Sequence, residues 1–89
     1  MNENKMMDNK AILEVFYVME GRGIEPGSFT RHLIETIAKA DATNKGKLAL
    51  VYPEYVEVVS AYQNSAELYD EMVGQVFENI AENYGRNSD

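Results

Sequence analysis

The apolar residues of this chain recur at helical spacing in segments that glycine, proline and asparagine separate. Side chains three or four residues apart share one face of an α-helix, so this pattern predicts amphipathic helices that pack around one core. At 89 residues, the chain is long enough for one domain only. We therefore predict an all-α fold, a small bundle of four to five helices with short loops.

The first helix is predicted to begin after Asp8, a favourable N-cap residue, and to end at Gly21. Its spacing places Glu14 on the polar face. Leu13 and Tyr17 lie four residues apart on that same side, where they would be neighbours. They are either a second layer of the core or a contact patch for another chain, and we prefer the patch because the domain is small. The predicted core face comprises Ala11, Ile12, Val15, Phe16, Val18 and Met19.

A glycine-rich loop over 21–27 precedes the second helix, which is predicted over 29–40 with Ser28 as its N-cap. Asp41 is predicted to cap a third helix. Helix is also predicted over 45–52, although Gly46 costs about 1 kcal/mol relative to alanine in a helix interior. The predicted core stripe of the second helix is Phe29, Leu33, Ile37 and Ala40.

Pro53 suits the first turn of a fourth helix. Asn64 and Glu67 resemble a capping box that starts the last helix, predicted over 65–84 and ended by Gly85. The face opposite its apolar residues is an acidic stripe. The stripe consists of Glu67, Glu71, Glu78 and Glu82.

The polar ends are predicted to be disordered tails, 1–7 and 86–89, on either side of a single helical domain over 8–85. The N-terminus has no signal-peptide core, and no apolar run approaches the ~18 residues that a membrane span needs. We expect a cytoplasmic protein without a membrane partner.

The composition of the chain excludes several classes of function. The net charge of −7, from 15 acidic and 8 basic residues, lacks the basic footprint that duplex nucleic acid requires. One histidine and no cysteine exclude a Cys–His nucleophile and a histidine-rich metal site, and no phosphate-binding or HExxH motif is present. We predict a non-enzymatic protein with no metal and no cofactor. Because its core is small and has no disulfide, we expect a homo-oligomer.

The central stretch resembles a group of small uncharacterised proteins of phages and mobile elements. The resemblance covers about half of the chain and implies a phage or prophage setting, hence the cytoplasm of a host cell. Small acidic proteins in that setting often inhibit a host protein, including defence proteins, or sequester a small ligand. The residues that carry the resemblance are Gly23-Ile24, Pro26-Gly27-Ser28-Phe29, Leu33-Ile34, Ala40-Asp41, Asn44, Leu48 and Pro53.

Three hypotheses follow. The first is an inhibitor that binds a host protein with a basic surface through the acidic stripe and the Leu13/Tyr17 patch. The second is an oligomeric binder of a phosphate-containing ligand or nucleotide at the 22–32 loop and helix N-terminus. The third is a structural or assembly protein. The residues of the phosphate hypothesis are Arg22, Ser28, Arg31 and His32.

Overall fold

The computed structural model describes residues 7–78. This part of the chain contains helices and no strand, which confirms the predicted all-α bundle. A helix does hold Gly46, but it ends at Ala49, so the predicted helix over 45–52 is wrong for 50–52, which form the turn before Pro53. The predicted tail 86–89, Gly85 and Glu82 lie outside the described residues. The helices are α1 (Asn9–Glu20), α2 (Ser28–Lys39), α3 (Ala42–Ala49), α4 (Pro53–Asn64) and α5 (Ala66–Val73), which continues as a π-helical stretch, Gly74–Glu78.

Helix α4 is the centre of the bundle, because it packs against α1, α2, α3 and α5. Because α4 has neighbours on several sides, it buries more than one stripe of residues, including the consecutive pair Val58 and Val59. None of the described helices has the length and apolar character needed to cross a bilayer. The fully buried side chains of the core are Phe16, Ile12, Ile34, Ile37, Met72, Val15, Val58 and Val59.

Phe16 joins three elements through ring contacts. Its ring centroid lies 5.3 Å from that of Tyr62 on α4, 5.2 Å from that of Tyr69 on α5 and 5.6 Å from that of Phe77 in the π-helical stretch. Aromatic pairs at these separations add to the stabilisation from area burial. The predicted core position of Phe16 is therefore confirmed.

Three predicted helix ends are confirmed by their hydrogen bonds. The Asp8 side chain accepts from the Ala11 N–H at 2.9 Å, and the Asp41 side chain accepts from the Asn44 N–H at 2.8 Å. Gly21 ends α1 in the left-handed conformation at φ 82°. These ends were predictable because the signals are local in sequence.

Two predicted caps are wrong by one residue. Gly27 is the N-cap of α2, so Ser28 is the first helical residue and makes no side-chain cap hydrogen bond. Asn64 is the last residue of α4, and Ser65 caps α5 by accepting from the Leu68 N–H at 3.1 Å. Ser65 is extended, at φ −140° and ψ 107°, so the chain breaks there rather than one residue earlier.

Two side chains occupy the opposite environment from the predicted one. Glu14 is only 5% exposed, because α1 is covered by α2, α4 and the π-helical stretch and keeps no wide solvated face. Phe29 is 65% exposed, because it stands in the first turn of α2 at one end of the bundle, where its ring packs against that of Tyr52.

The loop between α1 and α2 folds back onto α1. The Ile24 N–H donates to the Leu13 carbonyl at 3.2 Å, and Gly23 has φ +126°. A Cβ atom at Gly23 would stand 2.2 Å from the Leu13 carbonyl oxygen, so only glycine fits this approach. At the other end of α1, the Met7 carbonyl accepts from Gln75 at 2.8 Å, and Met7 packs on the core although it was predicted to belong to the tail.

Candidate functional site

The exposed face of α5 is acidic. Glu67, Asp70 and Glu71 are all exposed, and Leu68, which lies among them in sequence, is 37% exposed. Within residues 7–78 none of these three carboxylates is in an ion pair. The span 53–73 also contains no lysine or arginine, so no cation within it neutralises this face. We call Glu67, Asp70 and Glu71 the acidic face.

The structure describes part of the predicted acidic stripe. Glu67 and Glu71 belong to the acidic face, and Asp70 joins them although the stripe omitted it. The side chain of Glu78 and the whole of Glu82 lie outside the described residues.

The predicted Leu13/Tyr17 patch lies on another part of the molecule. Leu13 is half-buried and packs against the core. Its carbonyl also accepts the hydrogen bond from the 21–27 loop. These contacts favour the alternative of a second core layer. Tyr17 is half-buried, with the Arg31 guanidinium 5.9 Å from its ring centroid. No described contact joins these two residues to the acidic face.

Arg22 is held by its own chain. Its Nε lies 2.7 Å from the Glu20 carboxylate, and its guanidinium lies 4.5 Å from the Phe77 ring centroid and 3.4 Å from the Tyr69 hydroxyl. Its hydrogen bonds to Glu20 and Tyr69 raise the pKa of Arg22. Because a carboxylate already neutralises this cation, it is a poor ligand for phosphate.

The other three residues of the phosphate hypothesis lie in the first five residues of α2. Ser28 and His32 are exposed, and Arg31 covers the Tyr17 ring. Helix α2 starts without a side-chain cap, so its first N–H groups have no side-chain acceptor. The structure therefore keeps Ser28, Arg31 and His32 near one helix start, whereas Arg22 is engaged with Glu20, Tyr69 and Phe77.

Glu20 is a hydrogen-bond acceptor shared by several elements. It accepts from Tyr62 at 2.8 Å, from Tyr69 at 3.0 Å and from Arg22 at 2.7 Å. Burial raises the pKa of the Glu20 carboxyl, but the hydrogen bonds from Tyr62, Arg22 and Tyr69 outweigh it and hold this pKa below its usual range. Helical spacing does not predict this cluster. Its one signal is that tyrosines on core faces need a partner for their hydroxyl groups.

A second surface that the helical pattern does not predict is apolar. Leu50 is 85% exposed and Val51 is 68% exposed, in the turn between α3 and α4. Tyr52, the next residue, packs against Phe29 with ring centroids 6.1 Å apart, so the turn lies beside the first turn of α2. We call Phe29, Leu50, Val51 and Tyr52 the apolar turn surface.

The turn holds its exposed residues through backbone hydrogen bonds. The N–H groups of Val51 and Tyr52 both donate to the Leu48 carbonyl, at 3.1 and 2.8 Å, and Pro53 then starts α4. The side chains of Leu50 and Val51 consequently lie beyond the ends of both helices. A sequence signal exists, since Leu50, Val51 and Tyr52 directly precede Pro53, which begins a new helix.

Among the described residues, no group of three or more His, Cys, Asp or Glu side chains is arranged to hold a metal ion. The chemistry visible on the molecule is that of surfaces, one acidic and one apolar. The chain matches no protein-family model, no curated protein and no solved structure.

Proposed function

We propose that this chain is a non-enzymatic binding protein whose acidic face docks on a basic surface of another protein. The observation that carries the proposal is the separation of charge along the chain. Helix α5 (Ala66–Val73) has three carboxylates and no cation, whereas the span 28–49 has four lysines and arginines against two carboxylates.

The carboxylates of the acidic face, which have no ion pair within the described residues, raise the local negative potential and attract a positively charged partner. Such complementarity speeds association and selects the partner more than it adds affinity. Leu68, 37% exposed, supplies apolar area beside Glu67 and Glu71 that a partner would cover. A charged rim around an apolar contact is the usual anatomy of a protein interface.

The finer proposal is a phage-type inhibitor of a host protein, with defence proteins as the leading class of target. Its support is the resemblance of the central stretch to small phage proteins, together with the net charge of −7. An acidic face of this kind is suited to a groove that normally holds nucleic acid, because carboxylates can occupy the positions of phosphates.

The experiment is capture of partners from a bacterial host lysate with tagged wild type and Glu67→Lys/Glu71→Lys. The control, Glu25→Lys/Glu57→Lys, changes the net charge equally at exposed carboxylates outside α5. We expect wild type and control to retain one stoichiometric protein at low salt, and the α5 variant to lose it. Equal retention by all three proteins would remove the acidic face from the proposal.

A further inference from the structure

We propose that the apolar turn surface is the interface with a second copy of this chain, in a two-fold dimer. Leu50 and Val51 are adjacent and among the most exposed large apolar residues described, and Tyr52 connects them to Phe29. Single exposed apolar side chains are normal on a protein, but two adjacent ones in a turn that packs beside the exposed Phe29 are typical of a binding surface.

The charges beside this surface favour a second copy as the occupant. Lys47 lies three residues before Leu50, Glu54 lies three residues after Val51, and both are exposed. A partner of uniform charge would attract one of them and repel the other. In a two-fold interface residue i meets residue j and j meets i, so one arrangement satisfies both charges of both copies: Lys47 of each copy against Glu54 of the other.

The position of the surface permits this dimer together with the proposed function. The apolar turn lies at the start of α4, whereas α5 begins after its end at Asn64. A helix of 12 residues is about 18 Å long, so the beginning of the acidic face lies that far from the dimer contact along α4. The beginning of each acidic face is thus farther from the dimer contact than a Debye length, which is about 8 Å at physiological ionic strength.

The composition of the surface also suits a dimer. A stable interface buries roughly 800 Å² on each partner, with a few large side chains at its centre. Phe29, Leu50, Val51 and Tyr52 supply that centre, and the exposed residues of the first turn of α2 and the last turn of α3 supply the rim. A dimer would bury these four side chains on each of its two copies, which adds to the limited core of a short chain.

The test is sedimentation equilibrium of the full chain over a range of concentrations. We expect a monomer–dimer equilibrium for wild type, and for Leu50→Asp a dimer dissociation constant raised at least tenfold, as for a central interface residue. Leu68→Asp, an apolar-to-acidic change on α5, should dimerise like wild type. A wild type that is monomeric at every concentration, or a dimer that Leu50→Asp leaves intact, would overturn the proposal.

The pairing of charges has its own test. Lys47→Glu and Glu54→Lys should each weaken the dimer by about tenfold, and the double exchange should restore it, as a direct cross-pair requires. A double exchange that stays as weak as the single variants would overturn the two-fold arrangement. Circular dichroism melts of each variant verify folding. Partner capture by Leu50→Asp separates failure of the dimer from failure of the acidic face.

Discussion

The hydroxyl group of Tyr55 donates a hydrogen bond to the Glu14 carboxylate, and this bond joins α4 to a buried position of α1. Glu14 is only 5% exposed, so its carboxylate depends on a protein partner in place of water. Burial and the bond to Glu14 raise the pKa of Tyr55. A buried polar pair therefore lies within the contact between α1 and α4, which the hydrogen bond from Tyr62 to Glu20 also joins.

Tyr55→Phe should lower the free energy of unfolding by about 1–3 kcal/mol, because it leaves the buried Glu14 carboxylate without its hydroxyl donor. Chemical denaturation would measure the change. The control is Tyr52→Phe, which removes the hydroxyl group of a half-buried tyrosine. It should change the free energy of unfolding by less than about 0.5 kcal/mol. Equal stability of Tyr55→Phe and wild type would contradict a structural role for the pair.

Glu20 should stabilise the fold in a pH-dependent way. Its folded pKa is lower than the ordinary 4.5, since the hydrogen bonds from Tyr62, Arg22 and Tyr69 outweigh the effect of burial. The stabilisation is therefore complete above about pH 4.5 and is lost as the pH falls through the folded pKa. Melting temperatures of wild type and Glu20→Gln should converge as the pH falls from neutral to 3, and a constant difference would argue against the prediction.

Stability should also fall at alkaline pH. Burial and the hydrogen bond to Glu20 raise the pKa of Tyr62 from 10.0 to about 12. The folded state thus keeps a proton that the unfolded state loses, so the contribution of Tyr62 is complete below pH 10 and is lost as the pH rises towards 12. Over this pH interval, the denaturation midpoint of Tyr62→Phe should fall less steeply than that of wild type. An unchanged slope would mean that Tyr62 does not carry this dependence.

Substitution by alanine should have opposite effects on stability at two of the glycines. Gly23→Ala places a Cβ 2.2 Å from the Leu13 carbonyl oxygen at φ +126°, so we expect a loss of at least about 2 kcal/mol. Gly46→Ala adds a methyl group in open space within α3 and should stabilise by up to about 1 kcal/mol. Thermal melts of both variants measure the contrast. Similar effects of the two substitutions would contradict the close approach at Gly23.

The predictable features of this fold are the local ones. Helical spacing predicted the all-α bundle, and Asp8, Gly21 and Asp41 were assigned correctly because a cap acts within four residues of itself. Ser28 and Asn64 were wrong because a neighbour of similar capping ability, Gly27 or Ser65, took the position. Short-range signals locate such an end within a residue but do not choose between adjacent candidates.

The features that the sequence did not predict depend on distant parts of the chain. Tyr55 is 41 residues from Glu14, and Tyr62 is 42 residues from Glu20, so no helical period pairs them. A helical wheel assigns one buried face, whereas α1 is covered on several sides and therefore buries Glu14. The exposure of Phe29 and Leu50 likewise follows from where the helices end relative to their neighbours.

The most direct test of the account is the affinity of the captured partner for wild type and Glu67→Lys/Glu71→Lys, measured by calorimetry at several salt concentrations. We predict that wild type and Glu25→Lys/Glu57→Lys bind alike and weaken steeply with salt. The α5 variant should bind at least about tenfold more weakly, with a flatter salt dependence. Equal affinities and equal salt slopes for all three proteins would contradict a binding function for the acidic face.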